Sequence, residues 1–175
     1  MQSRQVFGRP KIGDQLAIVI NKEDKRKADI VIDLDELKGT WVYQVKPKLR
    51  KMPHIAGMPQ PKASPERDSM IQKLMVPIEQ GFKIKKQFTM DPVGLRFKQT
   101  SLTGESPVEY PQAEYYKEWH VLNGRLVFTE GTIDTGSKKR RKLKPQKDTV
   151  EIVLMMKDSL QLKFKDGIKA YYRKK

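Results

Sequence analysis

A chain of 175 residues holds one well-filled domain with a tail and is too short for two large ones. Thirty-six Lys and Arg against twenty-one Asp and Glu leave a formal charge of +15, so anionic partners and surfaces are attracted at low salt. The lack of cysteine excludes disulfides, thiolate catalysis and cysteine-based zinc sites, and no run of about 18 apolar residues marks a membrane helix.

Residues 1–13 carry Gly8, Pro10 and Gly13 among basic residues with little periodicity, and read as a mobile arm without the apolar stretch of a secretory signal. The compartment stays open: cytoplasm, or envelope and exterior if a signal segment has been removed. Two apolar runs, residues 16–20 and 28–32, flank a charged segment and read as an accessory strand pair, either an added hairpin or a pair lying across the end of the main sheet. Asp33 offers a helix cap and Gly39 a stop, so residues 33–38 read as one helical turn. A strand opens at Gly39-Thr40-Trp41-Val42-Tyr43. The pattern then collapses into a Pro-rich insertion over residues 47–66, followed by a short helix over 67–76. Residues 81–88 and 93–98 read as a hairpin about an Asp91-Pro92 turn, and 101–112 as a loop.

From residue 115 to 173 the chain reads as one strand after another. Val150, Ile152, Leu154 and Met156 alternate with their neighbours, as do Leu160, Leu162 and Phe164, which is the period of a strand with one buried face. Asn123-Gly124 and Asp166-Gly167 supply the positive φ of two-residue hairpin turns, and Lys157-Asp158 serves the same purpose less clearly. Residues 136–144 are too charged for a core and read as a long exposed hairpin loop. Counting from Trp41 gives about eight strands, the number at which an up-and-down antiparallel sheet closes into a small barrel. The expected fold is therefore all-β, with residues 1–33 as arm and strand pair and residues 34–175 as the barrel.

The order of landmarks resembles the bacterial lipocalin-like domain family, a calycin-type barrel. A helical turn leads into Gly39-x-Trp41, and Gly81-Phe82-Lys83-Ile84 follows. Trp119 lies in a Tyr-x-x-Trp context before Asn123-Gly124. Leu126-Val127-Phe128, residues 148–152, Asp158-Ser159-Leu160-x-Leu162 and Tyr172-Arg173 complete the series. The resemblance implies an eight-stranded barrel whose interior binds a small apolar ligand. It also implies that Gly39 and Trp41 close the base with Arg173 lying over the indole, a structural and non-catalytic cation–π pair. The long Pro-rich insertion, the two strands before Leu34 and the strong positive charge depart from the family pattern.

By alternation and by that resemblance, Phe82, Ile84, Leu95, Phe97, Trp119, Phe128 and Leu162 face the interior. Inside eight strands such positions serve as cavity wall or as packed filling. Lys138, Lys139, Arg140, Arg141, Lys142 and Lys144 concentrate enough charge to bind a polyanion; no aromatic residue is interleaved among them to stack on bases, so a stacking platform would fall to Tyr115, Tyr116, Tyr171 and Tyr172 on a sheet face. His54 and His120 stand far apart without ligand spacing, so no metal site is expected. Ser101, Ser106 and Ser137 lack a nucleophile elbow, and Glu114, Glu118 and Glu151 serve as exposed-face carboxylates as well as they serve an acid–base pair. The expectation is a non-enzymatic protein, without cofactor, that holds a small apolar or amphipathic, including anionic, ligand in its barrel. The alternative is a filled barrel whose basic surface binds a macromolecule or polyanion, nucleic acid among them.

Overall fold

The structure, a computed structural model, describes residues 5–49, 64–94, 108–111, 113–131 and 146–175, with Arg67 described by its backbone alone. Three short strands come first: β1 (Gln5–Phe7), β2 (Leu16–Ile20) and β3 (Ala28–Asp33). The one-turn helix α1 (Leu34–Leu37) leads into β4 (Gly39–Val45), after which come β5 (Lys48–Leu49), α2 (Pro65–Leu74), β6 (Ile78–Ile84), β7 (Met90–Val93) and β8 (Val108–Glu109). The chain ends in β9 (Tyr116–Leu122), β10 (Arg125–Glu130), β11 (Lys147–Met156), β12 (Ser159–Phe164) and β13 (Gly167–Lys174).

Eight of these strands form one antiparallel sheet in the order β7-β6-β4-β13-β12-β11-β10-β9. Successive barrel strands are neighbours throughout, and the first meets the last through Val42–Tyr172, Trp41–Arg173 and Thr40–Lys174. At the remaining seam a single bridge, Thr89–Glu118, ties the start of β7 to β9 and brings the sheet nearly to closure. The fold is thus an all-β, up-and-down barrel, as the strand count predicts. Asn123 (φ 49°) and Gly124 (φ 76°) make the β9–β10 turn, where asparagine and glycine tolerate the left-handed region best.

The small N-terminal sheet has the order β1-β3-β2, with β1 parallel and β2 antiparallel to β3. Its inner face, Phe7, Ala17, Ile30 and Ile32, joins the barrel core. It rests on the β9–β10 turn, since a Cβ at Gly124 would come 2.6 Å from Ile30 Cδ1 and 3.2 Å from Val19 Cγ2. The strand pair is therefore an end cover for the barrel rather than an appendage.

Several expectations are corrected. Residues 5–7, placed in a mobile arm, form β1, because Val6 and Phe7 find register with Val31 and Ile32. Asp91-Pro92 is not a turn but part of β7: the chain reverses at residues 85–89, with Gln87 and Phe88 at φ 63° and 58°. Pro92 is accommodated because β7 lies at the seam, where a missing donor is tolerated. Short strands β5 and β8 pair with each other inside segments expected to be loops. The strict alternation expected of β11 breaks at a register shift between Ile152 and Leu154, so Met155 rather than Leu154 and Met156 is buried.

Candidate functional site

The base of the barrel is built from α1. Asp33 caps it, its carboxylate accepting from Asp35 N and Glu36 N at 3.0 Å each. One turn is too short to satisfy its own carbonyls, so side chains do so. Trp41 Nε1 donates to Leu37 O at 2.8 Å. Arg173 donates from Nη2 to Glu36 O (2.5 Å), from Nη1 to Lys38 O (2.7 Å) and from Nε to Lys157 O (2.5 Å). Its guanidinium lies 4.2 Å from the centre of the Trp41 ring. Gly39 has φ 139°, and a Cβ there would fall 2.3 Å from Arg173 Nη1, so the clasp requires glycine.

Above this base, rings meet across the lumen. Phe82 on β6 touches Phe128 on β10 (5.5 Å between centroids) and Tyr171 on β13 (5.0 Å), while Phe128 also touches Tyr116 (5.1 Å) and Phe164 (6.3 Å). Leu126, Phe128, Val150, Leu160 and Leu162 each have 0% exposure, so no opening of water size borders them. Trp119, 1% exposed, donates from Nε1 to Lys85 O at 3.2 Å and packs against the Phe88 ring at a tilt, 5.3 Å between centroids.

Towards the other end the interior turns polar. Tyr116 OH donates to Asp148 Oδ2 at 3.0 Å, and Gln80 Nε2 donates to Pro111 O at 2.9 Å. Gln80 Oε1 and Tyr171 OH are buried and have no hydrogen-bond partner. Burial pushes the Tyr116 and Tyr171 phenols far above their ordinary value, with the Glu114 carboxylate adding to both. Lys169 pairs with Glu114 (2.5 Å) and Asp166 (3.1 Å) and lies 4.8 Å over the Phe164 ring. Burial opposes its charge, yet these carboxylates hold its ammonium above the usual lysine range.

Phe82, Ile84, Trp119, Phe128 and Leu162 are thus brought together as one packed interior, and Gly39, Trp41 and Arg173 as one clasp. Leu95 and Phe97 lie outside the described residues, as do Lys138, Lys139, Arg140, Arg141, Lys142 and Lys144. Among the described residues no group of three or more His, Asp and Glu is placed to hold a metal, and no helix is long and apolar enough to cross a membrane. Tyr43 and Gln80 escaped the sequence reading, although Tyr43 stands two positions after Trp41 and shares its face; Tyr116 and Tyr171, considered for a base-stacking sheet face, are buried in the interior instead.

Outside the barrel, an open groove of about 480 Å³ is lined by Ala17, Ile18, Val19, Ile20, Val121, Asn123 and Gly124. Comparison of the chain with protein-family models, with curated proteins and with solved structures found no match.

Proposed function

We propose that the protein is a non-enzymatic interaction module: a barrel filled by its own side chains that holds a basic surface in shape for an anionic macromolecule. The observation carrying this reading is the Phe82–Phe128 contact across the lumen, together with the unexposed leucines around it. A packed interior is worth more to a rigid scaffold than to a carrier, because a carrier needs a vacant apolar volume. The charge of +15 supplies the attraction. The indole–guanidinium clasp and the closing pair of first and last strands support a calycin-type relation.

A second reading, the small-ligand carrier, is favoured by Gln80 Oε1 and Tyr171 OH, two buried polar atoms that a bound molecule would satisfy if the mouth half of the barrel opened to admit it. One pair of titrations separates the two. A 20-nucleotide single-stranded DNA, used as a generic polyanion, is expected to bind with an affinity that falls about 50-fold between 50 and 200 mM salt, the loss for about four neutralised phosphates. Dodecanoate is expected not to bind stoichiometrically. Stoichiometric dodecanoate binding quenching tryptophan fluorescence, with DNA affinity indifferent to salt, would reverse the order of the two readings.

A further inference from the structure

β2 is an edge strand, and no strand among the described residues pairs with its outer side. The register tells which backbone groups that side presents. Leu34 N donates to Gln15 O at 2.9 Å, so Gln15–Leu34 is a hydrogen-bonded pair, and antiparallel alternation extends this to Ala17–Ile32 and Val19–Ile30. Leu16 and Ile18 therefore turn their own N–H and C=O away from β3, towards the outside.

The groove follows that side. Its first wall is Ala17, Ile18, Val19 and Ile20, and its second is Val121, Asn123 and Gly124. Consecutive strand residues alternate between faces, so a groove touching four in a row runs along the rim of the strand rather than over either face. Natural edge strands are protected by charge, proline or inward-pointing polar groups. Leu16-Ala17-Ile18-Val19-Ile20 has none of these, and its one bulge lies at the far end, between Val19 and Ile20. Ile18 and Ile20 are 54% and 58% exposed, and Val6, 61% exposed, shares the row of Ile18 through Val31.

We propose that the outer rim of β2 is a docking groove for an extended acidic segment of a partner protein, which adds to the small sheet as a fourth strand. This rests on the interaction-module reading and names its partner. Backbone bonds to Leu16 and Ile18 supply the affinity, as in other strand additions, and apolar side chains at alternate positions meet Ile18 and Ile20. Acidity follows from the β2–β3 turn, where Lys22, Lys25, Arg26 and Lys27 stand against Glu23 and Asp24 beside the end of the groove. A second copy of this chain is disfavoured as occupant, since each copy brings +15.

The test uses the full chain and two blocked ten-residue peptides, one alternating valine with glutamate and one alternating valine with lysine. Amide hydrogen exchange is followed by NMR at about 50 mM salt, where screening is weak. The glutamate peptide is expected to slow the Leu16 and Ile18 amides by about tenfold or more, with little change at Ala17 and Val19, which β3 already protects. The lysine peptide should slow neither. Ile18→Pro removes an outward N–H without breaking a β2–β3 bond and should abolish the effect; if it does not fold, Ile18→Lys guards the same rim. The proposal is overturned by equal slowing with both peptides, by no slowing with either, or by Leu16 and Ile18 amides already slow in the free chain. Slowing that grows with protein concentration alone would assign the rim to a second copy instead. Peptide protection that survives a failed DNA titration sinks only the polyanion surface, and the converse result sinks only the groove.

Discussion

Tyr116 and Tyr171 face the same packed interior, and one hydrogen bond separates them. The Tyr116 hydroxyl has the Asp148 carboxylate at 3.0 Å, whereas the Tyr171 hydroxyl is buried without a partner. Removing a hydroxyl that bonds to a charged acceptor costs about 1.5 to 3 kcal/mol, while removing an orphan hydroxyl returns part of its desolvation penalty. Tyr116→Phe is therefore expected to lower stability by about 2 kcal/mol, and Tyr171→Phe to leave it unchanged or raise it by up to about 1 kcal/mol. Urea denaturation of the two variants beside the parent chain checks the contrast, and an equal loss in both would mean that Tyr171 has a partner. At this scale the sequence was informative about direction and silent about partners. Strand period places Phe82, Trp119 and Leu162 inside, but period does not say that Gln80 sits beside Pro111 or Tyr116 beside Asp148, because those pairs are made by distant segments.

Among the elements, the clasp at the barrel base joins the first and last barrel strands in chain order, β4 and β13. Arg173 on β13 holds three carbonyls, from α1, the residue after it and the β11–β12 turn, while stacking on Trp41 of β4. Arg173→Ala leaves those carbonyls without their donor and is expected to cost about 2 to 4 kcal/mol, allowing for the half-exposed position of the side chain. Arg173→Lys should recover less than half of that, because an ammonium cannot fork between carbonyls and stack at once. Chemical denaturation measures both, and a lysine variant as stable as the parent would remove the argument for the fork. The helical turn, Gly39 and the Asn123-Gly124 turn were legible because each is written in local residue types, whereas the β12–β13 turn falls on Lys165-Asp166, one residue before the expected Asp166-Gly167, since Gly167 already pairs with Phe164. The shift in β11 was not legible, since a bulge inserts a residue without a characteristic sequence, and residues 152–156 are apolar throughout, so no break in pattern marks it. The reversal at residues 85–89 hid for a similar reason: Gln87 and Phe88 take the left-handed region without the asparagine or glycine that normally announces it.

For the molecule as a whole, the buried phenols set an alkaline limit. Folding keeps Tyr116 and Tyr171 protonated well above the pH near 10 at which an unfolded tyrosine titrates, and burial is the first cause in both. Above about pH 10 the unfolded chain therefore binds fewer protons than the folded one, so stability falls as pH rises. Their contribution is level below about pH 10 and declines by up to about 1.4 kcal/mol per pH unit for each tyrosine beyond it. Urea midpoints between about pH 8 and pH 11 should show this decline, and the Tyr116→Phe, Tyr171→Phe double variant should flatten it. An unchanged slope in that variant would place the alkaline limit elsewhere. The nearly closed barrel itself was legible from strand number and turn spacing. The cover formed by β2 and β3 was legible only as one of two placements for the strand pair, because residues 16–20 are apolar throughout and carry no alternation to tell which side meets the barrel.

The pairing of β4 with β13 has a consequence for synthesis. Residues 39–45 emerge from the ribosome more than a hundred residues before the partner that covers their flank, so a nascent chain carries Trp41 and an open strand edge until residues 167–174 have been made. Over that interval the growing polypeptide is exposed to aggregation, and premature termination within the last strand is expected to leave an unclosed, protease-sensitive product rather than a shortened barrel.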